Sequence, residues 1–176
     1  MLHYLHGQGV AHLDVTPSNI LLRDGRIVLL DLELARPLGH VRSNGLPNGT
    51  EGYQAPEYLG GAPVAPGMDV YAVGIVLAEL LVGDDDSESS ADSLLPRLDS
   101  GCTPAMAAVV TQMVEPHPAR RPATAAQAMA LLADTDPSER LWPVWADAHL
   151  VGTPALGREA GRLGWRGAQA SDRPRL

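Results

Sequence analysis

The sequence contains no lysine and no phenylalanine, and all 13 of its basic side chains are arginine. Lysine-dependent chemistry is therefore excluded from this chain. There is one cysteine, Cys102. It rules out an intrachain disulfide, suits a reducing compartment, and reads as a small buried or loop residue rather than a reactive thiol. The start, Met1-Leu2-His3-Tyr4-Leu5-His6, lacks a basic end and a long apolar run, so no secretory leader is expected and a cytoplasmic location is. The longest apolar run, Val70 to Val82, is interrupted by Glu79 and is too short for a membrane span. A formal net charge of −8 argues against nucleic-acid binding.

What is present suits one globular core: 176 residues, 45% of them hydrophobic. Leu2, Tyr4 and Leu5, followed by Gly7 and Gly9, read as the last turns of a helix with a glycine stop. Two short apolar runs, 20–23 and 26–30, flank Asp24-Gly25, a favoured hairpin turn. Residues 31–57 are aperiodic and rich in Gly and Pro, so a long loop is expected. Residues 61–67 read as a linker. Val70 to Val82, apolar nearly all round and preceded by Asp69, is the expected buried central helix. Residues 83–93 form an acidic stretch that reads as a solvated loop rather than a calcium site. Two more helices follow: Pro104 to Val114, with Met106, Val109, Val110 and Met113 on one face, and Thr124 to Leu132, with Ala125, Ala128, Met129 and Leu132 on one face and Thr124 as its cap. The expected class is mainly α (α+β), a helical bundle around one buried helix with one short β-hairpin. The domain is expected over 1–136. Residues 137–176, which carry Trp142, Trp145 and Trp165, form a tail expected to be partly disordered.

The stretch with chemical content is His12-Leu13-Asp14-Val15-Thr16-Pro17-Ser18-Asn19. It sets an acid and an amide five residues apart in a Pro-containing loop. A second acid, Asp31, closes the following apolar run. Alone, Asp14 reads as a loop residue capping a turn. Oxygen side chains converging at strand ends suit a hard divalent cation. His3 and His6 have no third ligand spaced to join them and read as surface helix histidines.

In order along the chain, this stretch, Asp31, Gly49-Thr50-Glu51-Gly52-Tyr53-Gln54-Ala55-Pro56-Glu57, Asp69 and Arg120-Arg121-Pro122 resemble the motifs of bacterial-type Ser/Thr protein kinases. The resemblance covers about Met1 to Asp134 and corresponds to the carboxy-terminal lobe of those enzymes. It implies ATP and Mg²⁺ as cofactors and a protein Ser or Thr hydroxyl as acceptor. Asp14 would be the catalytic base. Asn19 and Asp31 would hold metal, and Leu21 would pack beneath the adenine. Gly49 and Thr50 would face the substrate, while His12, Glu57, Asp69 and Arg121 would be structural.

Four positions depart from the pattern. Leu13 stands where many relatives carry an arginine that pairs with an activation-loop phosphate, so switching by that route is expected to be absent. Thr16 stands where Ser/Thr kinases keep a phosphate-contacting lysine. Leu32 replaces an aromatic. Glu33 replaces a glycine, adding charge beside the metal and restricting a turn; it could ligate or repel. No glycine-rich phosphate loop and no strand lysine precede these motifs, so the small lobe reads as absent from this sequence: encoded upstream, supplied in trans by another chain, or lost. An apolar surface is then expected around Leu21, Leu32 and the first helix. Weak or no autonomous phosphotransfer is expected. The alternative is a non-catalytic, pseudokinase-like binding module or a gene remnant. No oligomeric state is indicated.

Overall fold

The structure, a computed structural model, describes residues 1–42, 48–83, 89–98 and 102–135. The expectations for the tail from 137 onward, and for 84–88 of the acidic stretch, lie outside the described residues.

The first helix, α1, is Leu2–Gly7, and Gly9 follows its cap with φ 76°. The predicted hairpin is β2 (Ile20–Arg23) and β3 (Arg26–Leu29), paired antiparallel with Ile20 opposite Leu29 and Arg23 opposite Arg26. Both residues of its turn have positive φ, Asp24 at 51° and Gly25 at 70°, which is what a two-residue turn matched to strand twist requires. A second sheet was not anticipated. β1 (Val10–Ala11) pairs with β4 (Arg36–Pro37), within the segment read as an aperiodic loop. Strands two residues long carry no periodicity that a sequence could display.

The short helix α2, Pro56–Leu59, precedes the central helix α3, Pro66–Val82. α3 begins four residues before the predicted Val70, inside the supposed linker, because Pro66 sits in its first turn, where the missing N–H costs nothing. It ends at Gly83, which takes the left-handed conformation with φ 69°. Ala91–Leu94 forms a single turn, α4, closed by reciprocal bonds between Ser90 and Ser93, so the acidic stretch ends in helix rather than loop. α5 is Pro104–Met113, capped by Thr103, and α6 is Ala125–Ala133, capped by Thr124 through the Gln127 N–H.

α3 lies at the centre of the core. Its Ile75 and Ala78 are fully buried with Val110 of α5 and Val114 just beyond it, and Leu94 and Leu98 close one side. Cys102 is half-buried against this cluster, its thiol on the Leu98 carbonyl. Met106, Val110 and Met113 face inward as the spacing predicts, but on α6 Met129 is 63% exposed and only Ala128 is buried. α3 and α5 cross closely at Gly74: a β-carbon there would lie 2.7 Å from Val114 Cγ1 and 2.9 Å from Met113 Cβ. Both neighbours are buried, so the contact has no room to relax. Gly74→Val is expected to destabilise the protein by about 1–3 kcal/mol, read as a lower urea midpoint with an unchanged slope.

Candidate functional site

The site is built outward from Asp69, in the first turn of α3 and wholly buried. Its Oδ2 accepts from the His12 N–H and its Oδ1 from the Leu13 N–H, both at 2.8 Å. Both amides are 56 or more residues away in sequence. Asp69 thus does not cap its own helix; it grips the loop that carries Asp14. Leu13 has φ 66°, a left-handed conformation that a branched side chain seldom adopts. Two backbone N–H hydrogen bonds to one carboxylate, and burial of the Leu13 side chain in the core, hold it there.

A third bond was missed. His6 is not a surface histidine. Its Nε2 lies 2.8 Å from Asp69 Oδ2, and its side chain is 7% exposed. Helical spacing put it on α1, and only the fold brings it to a carboxylate 63 residues on.

His12 is completely buried. The Asp14 N–H donates to its Nδ1 at 3.3 Å, so the ring proton is on Nε2, which reaches the Leu30 carbonyl at 3.0 Å. One imidazole therefore ties the loop to the end of the hairpin. Asn19, in the 3₁₀ turn Pro17–Asn19, closes the loop from the other side: its Nδ2 donates to the Asp14 backbone oxygen at 2.9 Å and to Asp14 Oδ2 at 2.8 Å. Asp14 Oδ1 accepts from the Thr50 N–H at 3.0 Å and from the Thr50 hydroxyl at 2.9 Å. Asp14, Asn19 and Thr50 thus form one hydrogen-bonded group. Gly49, before Thr50, has φ 137°, a backbone conformation that favours glycine, and the position of a β-carbon on it lies 2.7 Å from Gln54 Nε2, the end of a flexible side chain.

Asp31 lies beyond β3 with φ 61°, and its Oδ1 accepts from the Glu33 N–H at 3.0 Å. The turn constraint expected at Glu33 is at Asp31 instead. Outside glycine, the only described residues with positive φ are Leu13, Asp24 and Asp31. Glu33 is exposed, and its carbonyl accepts from Arg36. Thr16 is 1% exposed and its hydroxyl is bonded to Ser18. Leu21 is half-buried in β2, across from Val28. Tyr4 on α1 and Ile27, Leu30 and Leu32 on and beyond β3 are exposed apolar side chains, with Tyr4 and Ile27 each at 68%.

Among the described residues no group of three or more His, Cys, Asp or Glu side chains is placed to hold a metal. The donors available here are the Asn19 amide oxygen, left over once its nitrogen is committed to Asp14, and the Asp31 carboxylate. Two oxygen donors, one anionic, fit a hard cation that keeps water and phosphate oxygens as its other ligands.

Below the site, Arg121 and Glu57 form a two-pronged ion pair, Nη1–Oε1 at 2.8 Å and Nη2–Oε2 at 3.0 Å. The Arg121 guanidinium also donates to the Gly67 and Glu115 carbonyls and stacks 4.9 Å above the Tyr71 ring. Its side chain is fully buried and that of Glu57 is 12% exposed. Burial holds the Tyr71 phenol above its ordinary pKa, with nearby Arg121 opposing the shift.

The family model for the protein kinase domain matches residues 1–149. The chain belongs to the protein kinase family. Among its relatives, serine/threonine-protein kinase PknA of Nostoc sp. is 33% identical over 146 residues, covering 75% of this chain and 26% of that protein. PknK of Mycobacterium bovis is 36% identical over 140 residues, 71% of this chain and 13% of that kinase. The kinase mos of Patiria pectinifera is 31% identical over 159 residues, 80% of this chain and 45% of that kinase. This chain spans less than half the length of each. A helix-rich body with two small sheets is compatible with a kinase-like fold. Among the described residues no helix is long and apolar enough to cross a membrane.

Two substitutions probe this framework. His6→Ala removes a partner from a buried carboxylate and is expected to cost about 1–3 kcal/mol in chemical denaturation. An exposed histidine would change stability by no more than about 0.5 kcal/mol. Arg121→Met leaves the Glu57 carboxylate unpaired and is expected to cost about 3–5 kcal/mol, while the double change Arg121→Met with Glu57→Leu recovers much of it.

Proposed function

We propose that this chain supplies the acceptor and metal half of a Ser/Thr phosphotransfer site, in the manner of a kinase carboxy-terminal lobe. The observation that carries the reading is the bonding of Asp14: one carboxylate oxygen faces Asn19, the other a threonine hydroxyl. An oxygen already accepting from a hydroxyl is suited to orient a Ser or Thr side chain for attack and to take up its proton. In this reading the acceptor protein lies along Gly49 and Thr50, and ATP lies over Leu21. Asn19 and Asp31 hold Mg²⁺, which when bound neutralises charge on the transferring phosphoryl group. His12, Asp69, Glu57 and Arg121 keep the loop and the acceptor segment in register.

The half that grips phosphate is not supplied by these 176 residues. They contain no lysine, and Thr16, buried and bonded to Ser18, offers no cation beside Asp14. A small lobe, in cis or in trans, would complete the site; the exposed Tyr4, Ile27 and Leu32 support that placement. The same Thr16 environment favours a second reading, a pseudokinase-like module that binds a protein partner without transferring phosphate.

Thermal melting with Mg-ATP tests the first reading. Ligand at a hundredfold excess over its dissociation constant adds about 2.7 kcal/mol and raises Tm visibly. This chain alone is expected to show almost no shift and to transfer little phosphate to a Ser-containing protein. Adding a kinase small lobe is expected to produce both the shift and the transfer. Continued silence after that addition, or after Mn²⁺ replaces Mg²⁺, would favour the binding-module reading.

A further inference from the structure

α6 is apolar on both of its sides. Of its nine residues only Gln127 is polar. One side, with Ala128 and Leu132, packs with Val70 of α3 and Met113 of α5. The other carries Ala126, Met129, Ala130 and Ala133, all exposed. Their spacing sets them in one stripe along the helix. A helix at the surface of a globular domain ordinarily turns polar or charged side chains outward. Here the outward side is a strip of alanines with the Met129 thioether standing on it, 63% exposed. An uncovered apolar face of this kind calls for a partner.

The chain itself continues from this helix. Thr135 is buried and its hydroxyl donates to the Leu132 carbonyl at 2.6 Å, so the chain leaves α6 at an anchored point. Six residues further on begins Leu141-Trp142-Pro143-Val144-Trp145-Ala146, the longest run after α6 without a polar side chain. Six extended residues reach about 20 Å. The stripe from Ala133 back to Ala126 is about 10 Å long. Trp142 and Trp145 therefore lie within tether length of all of it. Indole rings suit its chemistry: they supply large apolar area over a floor of small side chains, and thioether sulfur makes favourable contacts with aromatic rings. A tethered segment also competes well against the same segment of a second copy, because its effective concentration is in the millimolar range.

We infer that the outer face of α6 is the docking site of the chain's own residues 141–146, with Trp142 and Trp145 laid over Met129 and the alanines beside it. α6 itself packs on α1 and α3, the helices that carry His6 and Asp69. The docked segment is then a layer of the domain rather than an appendage to it.

The chain's three tryptophans are Trp142, Trp145 and Trp165, so its indole fluorescence comes entirely from beyond α6 and reads the contact in the full chain. Trp165→Tyr, which leaves only Trp142 and Trp145, is expected to emit at short wavelength and to be shielded from acrylamide. In that background Met129→Glu and, separately, Ala130→Glu are expected to move the emission to longer wavelength and abolish the shielding. Both sites are exposed, and far-UV circular dichroism checks that the helices persist. Ile27→Asp, at an exposed apolar site on the hairpin, is expected to change neither reading. Water-like emission from Trp142 and Trp145 would overturn the inference. So would shielding that survives both α6 substitutions, or that is lost in Ile27→Asp. Shielding that fades on dilution would assign the face to a second copy and overturn it as well.

Discussion

The geometry of the site depends on one buried carboxylate. Asp69 takes no part in capping its own helix, although it occupies a position where an acid commonly would. Both of its oxygens are turned to the peptide N–H groups of His12 and Leu13, and His6 completes the set. A carboxylate so deeply buried is tolerable only because each oxygen is charge-assisted by a donor. The left-handed backbone at Leu13 is tolerable only because those donors are held. Each strained or costly feature is thus compensated by the other, and the outcome is the presentation of Asp14 at the loop's turn.

A second tie works on the acceptor side. The Glu57–Arg121 pair links the start of α2 to the segment before α6, and Arg121 reaches the Gly67 carbonyl at the start of α3. Three parts of the chain far apart in sequence meet at one guanidinium. Its planar fork satisfies a carboxylate and several backbone carbonyls at once, which a point-like ammonium could not do. Asp69 secures the loop beneath Asp14, and Arg121 secures the segment that carries Thr50. The Asp14–Thr50 hydrogen bonds join the two.

Much of this was legible in the residues. The Asp24-Gly25 turn, the all-round apolar run of α3 and the Thr124 cap are local signals, and each element formed where its local chemistry pointed. Asp14, Asn19 and Asp31 stood out because their order and spacing resemble those of the kinase motifs. Other features were not legible, for reasons that differ. His6 needed a partner from another helix. Met129 had the spacing of a core residue, but the neighbours that decide burial lie elsewhere in the chain. The β1–β4 pair is too short to show a period. Glu33 seemed to inherit a glycine's constraint, yet the left-handed turn is at Asp31, two residues earlier, where a short polar side chain tolerates it.

The hairpin also works as a spacer. Asn19 stands at the foot of β2 and Asp31 just past the foot of β3, and the Leu30 N–H closes the base on the Asn19 carbonyl at 2.7 Å. The separation of the two oxygens is therefore set by strand pairing rather than by contacts of their own. Residues added at the exposed tip, around Asp24, would lengthen the hairpin and leave its base alone. A single residue inserted into either strand would shift the pairing by about 3.3 Å and turn the following side chains to the opposite face. The tip can vary in length, then, while the strands that lead back from it cannot.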